Sequence, residues 1–198
     1  MGHTRLMSNG GLQNEPISNC IDKVSRAASS MQENKIGALI VFERSTQLGE
    51  IVDTGTVIDA KPSMQMIQNI FFPKSPLHDG ALIIRDGRLY AGGCILPLTQ
   101  REDISSQLGT RHRAAIGMTE NSDAVVLVVS EETGTISIVV NGVITRDYNA
   151  MSAAEKLKEY LLQPESRKNS GFPAWMDRVR LARNQQGKEA KNHDSESQ

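Results

Sequence analysis

The 198-residue chain places a histidine and an aspartate side by side ahead of an apolar run, in PLHDGALII, residues 76–84. His78 and Asp79 are side chains that move protons or hold a divalent cation, and Gly80 and Ala81 leave almost no bulk behind them. Either this is a polar turn entering a strand, or the cleared space admits a large ligand, such as a nucleotide, close to the backbone. A second group lies in GTRHRAAIGMTE, residues 109–120. Gly109-Thr110 precede a helical pattern, where free backbone N–H groups and the helix dipole favour an anion. Arg111 and Arg113 add guanidinium forks that match phosphate oxygens, with His112 between them and two alanines keeping the next turn thin. The alternative is an exposed, salt-bridged helix start. A third group, Ser130-Glu131-Glu132, ends an apolar strand pattern. Alone it reads as a polar hairpin turn. Taken with Asp79 at the start of another strand, Glu131 or Glu132 would converge with it at one sheet edge. Divalent ions on triphosphates are commonly held by one or two carboxylates plus phosphate oxygens. The glycine-rich patterns GxxxxGK[ST] and GxGxxG are absent, which removes the usual phosphate loops.

The elements that must position these groups follow from periodicity. Ile17, Ile21, Val24, Ala28 and Met31 recur in steps of four and three, which predicts a helix over residues 16–32 with Pro16 in its first turn. That stripe packs on the domain's own sheet or, since the spacing also suits a short coiled-coil seam, on another subunit. GALIVFER, residues 37–44, reads as a buried strand. DTGTVIDAKPS reads as loop, and Ser63 as the cap of a helix to Phe72. ALIIRDGRLYAGGCILPL is a hairpin around Asp86-Gly87. Short helices are expected over 101–108 and 111–120, then a hairpin around EETG, a strand VITRDY and a closing amphipathic helix over 152–162. Hairpins mixed with helices argue for an α/β fold: one domain with a central mixed β-sheet flanked by helices, plus the N-terminal helix.

Length permits one domain with appendages and a core that needs no staples. With 22 basic and 23 acidic residues the formal charge is −1, which argues against a general nucleic-acid binder. Cys20 and Cys94 fit no metal-binding spacing and read as reduced thiols. No secretory pattern and no run of membrane-spanning length is evident, so a soluble, cytoplasmic protein is expected, with no membrane partner. Residues 1–14 read as a flexible leader. Residues 164–198 read as a polar tail, with 184–198 of disordered composition.

PLHDGALII, GTRHRAA and VVSEETG together, with GALIVFER upstream, resemble the diadenylate cyclase domain family, which makes cyclic di-AMP from ATP. The resemblance covers about residues 35–162 and implies a cyclase domain over 35–163. The single N-terminal helix over 15–34, a candidate for oligomerisation or regulation, is similar to that of the soluble, sporulation-associated branch. The resemblance implies that Asp79 activates the ribose 3′-hydroxyl, directly or through Mg²⁺ or Mn²⁺, with Gly80 and Ala81 giving the nucleotide room. Thr110, Arg111 and Arg113 would hold the triphosphate, His112 would orient it, and Ser130 would touch phosphate. Glu132 is the better metal candidate beside Asp79, with His78 and Glu131 weaker. The adenine would lie against Ile95 and Leu96, reading backbone edges. Two ATP joined by twofold-related transfers imply a homo-oligomer with a face-to-face dimer. A nucleotide-binding regulatory module without turnover is the alternative.

Overall fold

The computed structural model describes residues 10–104 and 108–162. Seven strands form one sheet in the order β2-β4-β3-β1-β5-β6-β7. They are β1 (Ala38–Phe42), β2 (Thr56–Ala60), β3 (Ala81–Arg85), β4 (Arg88–Cys94), β5 (Val125–Val129), β6 (Ile136–Val140) and β7 (Val143–Tyr148). Only β1 and β3 pair in parallel, and every other neighbouring pair is antiparallel. The sheet is therefore mixed, as expected.

The helices are α1 (Gly10–Glu33), α2 (Gly49–Val52), α3 (Met64–Phe71), α4 (Thr110–Glu120) and α5 (Ala150–Leu162). The central strands β1 and β5, and β3 up to Ile84, are apolar because both faces are covered. Ala38, Ile40, Phe42, Leu82, Ile84, Val125 and Leu127 form one core with residues of α1, α3 and α5. Leu39, Val41, Ala81, Ile83, Val126 and Val128 form the other, with α2 and α4.

Local chemistry sets the element ends. Ser63 caps α3 by accepting a hydrogen bond from the Met66 N–H at 3.2 Å. Asp86 and Gly87 both hold positive φ, +50° and +72°, the backbone of the tight primed turn that Asp-Gly favours.

Three expectations need correction. DTGTVIDAKPS is not loop throughout, since residues 56–60 form the edge strand β2 beside β4. Its exposed, interrupted side-chain pattern is that of an edge, which carries little alternation to read. No helix begins at residue 101: residues 101–104 are irregular, held where Arg101 reaches Asp103 and the Gly142 carbonyl. The N-terminal helix starts earlier than expected, at Gly10, with Pro16 inside it rather than in its first turn.

The stripe on α1 also has its partner. Cys20, Ile21, Val24, Ala27, Ala28 and Met31 are buried within the domain. They pack on α3, α5 and the domain's own sheet, the first of the two partners that the spacing allows. Both cysteines are free and buried. Burial pushes the Cys20 thiol up to about 12 and the Cys94 thiol to about 11, so neither is a thiolate nucleophile. The tail over 164–198 lies outside the described residues.

Candidate active site

Strand registers bring the sequence motifs to one place. Ile40 stands opposite Leu82, Ala38 opposite Val129, and Ala81 opposite Cys94. The exit of β4, the entries to β3 and β1 and the exit of β5 therefore share one end of the sheet. Ile95, Asp79, Gly37 and Ser130 follow one another across four adjacent strands, a row about 14 Å wide at ~4.8 Å per strand. Asp79, at the entry to β3, and the Glu131-Glu132 pair, after β5, lie on opposite sides of β1 at this end of the sheet.

Helix α4 begins over the same end. Gly109 is its N-cap in extended conformation and supplies no side-chain cap. Its carbonyl accepts from the N–H groups of His112 and Arg113, at 3.1 and 3.2 Å. The first N–H groups of the helix thus stay open, where the dipole favours an anion. A shallow pocket there is lined by Gly109, Thr110, Arg111, His112, Val129, Ser130, Glu131 and Glu132. Arg111 Nη1 donates to Glu131 Oε2 at 2.5 Å. Arg113 has no carboxylate partner among the described residues, and Thr110 is exposed.

His112 stands differently. It turns onto the sheet with Ala115, Ile116 and Thr119, is 4% exposed, and its Nε2 has no hydrogen-bond partner among the described residues. Burial first, and then the positive charge of Arg146, hold its pKa below 6.5. The ring therefore stands neutral beneath the first turn of α4 rather than as an exposed cation.

The HDGA segment divides into two parts. Asp79 is exposed, and its carboxylate has no hydrogen-bond or ion-pair partner among the described residues. His78 Nδ1 lies 2.6 Å from the Ser75 carbonyl oxygen. A carbonyl oxygen only accepts, so Nδ1 donates there and Nε2 is the nitrogen left for another partner. Gly80 and Ala81 are small for another reason than a ligand. A Cβ on Gly80 would meet the Gly93 and Cys94 backbone at 2.6–2.9 Å, and the Ala81 side chain is fully buried beneath α4 and α2. Strand β4 fills the space behind Asp79.

Ser130 Oγ accepts from the Thr133 N–H at 3.2 Å, so it caps its own turn while keeping its proton to donate. Glu132 is exposed and unpaired among the described residues. Ile95 presents its side chain, 69% exposed, but its N–H donates to Thr54 Oγ1 at 2.8 Å. That N–H is engaged, and Leu96 is buried at 7% exposure. A base resting here would meet the Ile95 side chain.

Among the described residues no three His, Cys, Asp or Glu side chains group as a ready metal cage. The donors present still fit a hard cation that arrives with phosphate oxygens, since Mg²⁺ keeps most of its shell from phosphates and water. Asp79 and its sequence neighbour His78 offer donors at the entry to β3, and Glu132 offers one across β1, after β5.

Two positioning residues escaped the sequence. A Cβ on Gly117 would stand 2.3 Å from the Pro97 carbonyl oxygen and 2.6 Å from the Thr99 nitrogen. The 97–99 segment can therefore lie along α4, where the Thr99 N–H donates to the Arg113 carbonyl at 3.2 Å. A glycine inside a helical pattern was the available signal. Thr54 carried none.

Against known families, residues 25–144 match the model described as DisA bacterial checkpoint controller nucleotide-binding, the DAC family. The chain belongs to this family. Its DAC match covers every part of the site and begins within α1, ten residues before the resemblance read from motifs. The chain is 40% identical over 171 residues to a protein named cyclic di-AMP synthase CdaA from Bacillus subtilis, covering 86% of this chain and 61% of that one. It is 47% identical over 122 residues to cyclic di-AMP synthase CdaS of the same organism, covering 62% and 58%. A solved structure of a DacA double mutant from Staphylococcus aureus superposes with a TM-score of 0.70 at 44% identity, covering 72% of this chain and 95% of that one. The chain spans about 60% of the length of these two curated relatives. No helix among the described residues is long and apolar enough to cross a membrane.

Proposed function

We propose that this DAC domain is a diadenylate cyclase, which condenses two ATP into cyclic di-AMP and two pyrophosphates. The observation that carries the reading is the free Asp79 carboxylate at the same sheet end as the open N-terminus of α4 and its arginines. That end supplies a base or metal ligand and an anion cradle, the two things a 3′-hydroxyl and a triphosphate need. The relatives named cyclic di-AMP synthases support the same chemistry.

The triphosphate rests on the first N–H groups of α4, on the Thr110 hydroxyl and on the Arg111 and Arg113 forks. Ser130 donates to a phosphate oxygen from the neighbouring strand end. Asp79 accepts or draws off the proton of the 3′-hydroxyl. The freed oxygen forms a bond to the α-phosphorus of an ATP held by a facing subunit. The bond from that phosphorus to the pyrophosphate bridge breaks, and pyrophosphate leaves with the electron pair. The mirror step closes the ring. When bound, Mg²⁺ or Mn²⁺ supplies neutralisation of phosphate charge and acidifies the hydroxyl. Asp79, His78 and Glu132 would hold it.

Each subunit offers one nucleotide seat, so the reaction needs two seats related by a twofold axis. Purified protein incubated with ATP and Mn²⁺, analysed by mass spectrometry, should yield cyclic di-AMP and pyrophosphate in a 1:2 ratio. ATP bound with no product would favour a nucleotide-sensing module instead.

A further inference from the structure

Gly37 lies one residue before β1 and is buried. Ala38 pairs with Val129, so the next pair outward sets Gly37 beside Ser130, between Asp79 and the Glu131 turn. An ideal Cβ built on Gly37 falls 2.6 Å from Arg111 Nη1, 2.7 Å from Arg111 Cζ and 3.1 Å from Glu131 Cβ. Real Cβ atoms essentially never approach heavy atoms within 3.0 Å. The residue is not there for its backbone, since Gly37 is not among the residues with positive φ. What remains is space: the guanidinium of Arg111 occupies the volume where any other residue would carry its side chain.

We propose that Gly37 is the positioning residue of the phosphate arginine. Its bare backbone floors a slot, walled by Glu131, in which the Arg111 guanidinium is held at the sheet end. The inference rests on the reading of Arg111 as a triphosphate ligand. Arg111 leaves the first turn of α4 and must cross above β1 to stand near the row of strand ends. The slot sets how low over the sheet its fork lies, and Glu131 sets its rotation. At Gly117 the close neighbour is rigid backbone, and a side chain there would disturb packing. At Gly37 the close neighbour is the far end of a flexible side chain. Gly37→Ala should therefore leave the fold intact and move the fork.

The test measures calorimetric binding of a non-reactive ATP analogue with a methylene bridge between the α- and β-phosphorus, in Mg²⁺ buffer. The variants are Gly37→Ala, Arg111→Ala, Arg111→Lys and Gly37→Ala with Arg111→Lys, and thermal unfolding is recorded for each. Gly37→Ala is expected to bind roughly tenfold more weakly with an unchanged melting temperature. In the Arg111→Lys background, where no planar fork fills the slot, adding Gly37→Ala should change affinity by less than twofold. A Gly37→Ala protein with normal affinity, while Arg111→Ala binds weakly, overturns the slot and leaves the function standing. An equal loss in both backgrounds also overturns it, because Gly37 would then act without Arg111. So does a Gly37→Ala chain that fails to fold, since a flexible guanidinium yields before a core does. Normal affinity in Arg111→Ala removes the phosphate reading itself, and the slot with it.

Discussion

A Cβ on Gly80 would stand 2.6 Å from the carbonyl carbon of Gly93, and Gly80 holds φ at +116°. Two independent demands, backbone conformation and close strand packing, therefore fall on one residue beside the Asp79 carboxylate. Gly80→Ala should cost more than about 2 kcal/mol, combining left-handed strain with a clash against β4 backbone. Urea denaturation checks this. Loss of activity with full stability would instead place a ligand where β4 now runs.

Asp79→Asn is expected to bind ATP and make no product, while stability stays within about 0.5 kcal/mol. Its carboxylate is exposed and makes no contact among the described residues, so nothing in the fold depends on the charge. Near-normal turnover in this variant would reduce Asp79 to a turn residue.

Arg111 and Glu131 should move affinity in opposite directions. Their pair is partly exposed, with 20% and 61% of the side chains accessible, and such pairs contribute only about 0.2–1 kcal/mol. A triphosphate with several charged oxygens outcompetes one carboxylate. Arg111→Ala should weaken ATP binding by on the order of 1.5–3 kcal/mol, roughly 10- to 150-fold. Glu131→Gln removes the competitor and should bind ATP as well or a few-fold better. Much weaker binding in Glu131→Gln would make Glu131 a metal ligand, the role assigned above to Glu132.

His112 gives a pH signature. Burial and Arg146 hold its folded pKa below the ordinary 6.5. Between 6.5 and that lower value the unfolded chain binds a proton here and the folded chain does not. Stability should therefore fall as pH drops below about 6.5 and stay flat above it. Asp103 and Asp123, both held below 3.8, act in a separate, more acid window. Urea midpoints from pH 7.5 to 5 should show the slope, and His112→Gln should flatten it. An unchanged slope in that variant would put the proton elsewhere.

How much of this was legible depends on what each signal measures. The strand cores, the Asp86-Gly87 turn and the Ser63 cap announce themselves, because periodicity and turn chemistry act between near neighbours. The motifs suggest that Asp79 and Glu131 or Glu132 meet at one sheet edge; the strand order puts them at one end of the sheet, on either side of β1. Burial of His112 was missed: a residue inside RHR looks charged and exposed until the helix is rotated onto its sheet. Gly80 and Ala81 were read as room for a ligand because one-dimensional sequence does not show which strand returns beside them. Gly37 opens an apolar strand pattern, and nothing in KIGALIVFER says that Arg111, 74 positions later, fills its missing side chain. Edge strand β2 failed for lack of alternation. The α1 stripe carried one periodicity with two possible partners, and only α3, α5 and the sheet decide between them.

The last prediction uses the symmetry of the proposed reaction. If each Asp79 activates the 3′-hydroxyl of its own ATP against the facing α-phosphorus, a pair of subunits needs two working aspartates to close the ring. A mixed pair of wild type and Asp79→Asn can make one bond only. It should release the linear dinucleotide with its 5′-triphosphate, one pyrophosphate and no ring. At fixed total protein, cyclic product should follow the square of the wild-type fraction, because only pairs with two wild-type members complete both transfers. Linear product should peak near equal mixing. Asp79→Asn is suited to this because its exposed position lets the variant fold and pair normally. Mass spectrometry across a mixing series at constant concentration reads both products. Cyclic di-AMP falling in simple proportion to the wild-type fraction, with no linear intermediate, would mean that one subunit completes both transfers, and the facing arrangement would have to be abandoned.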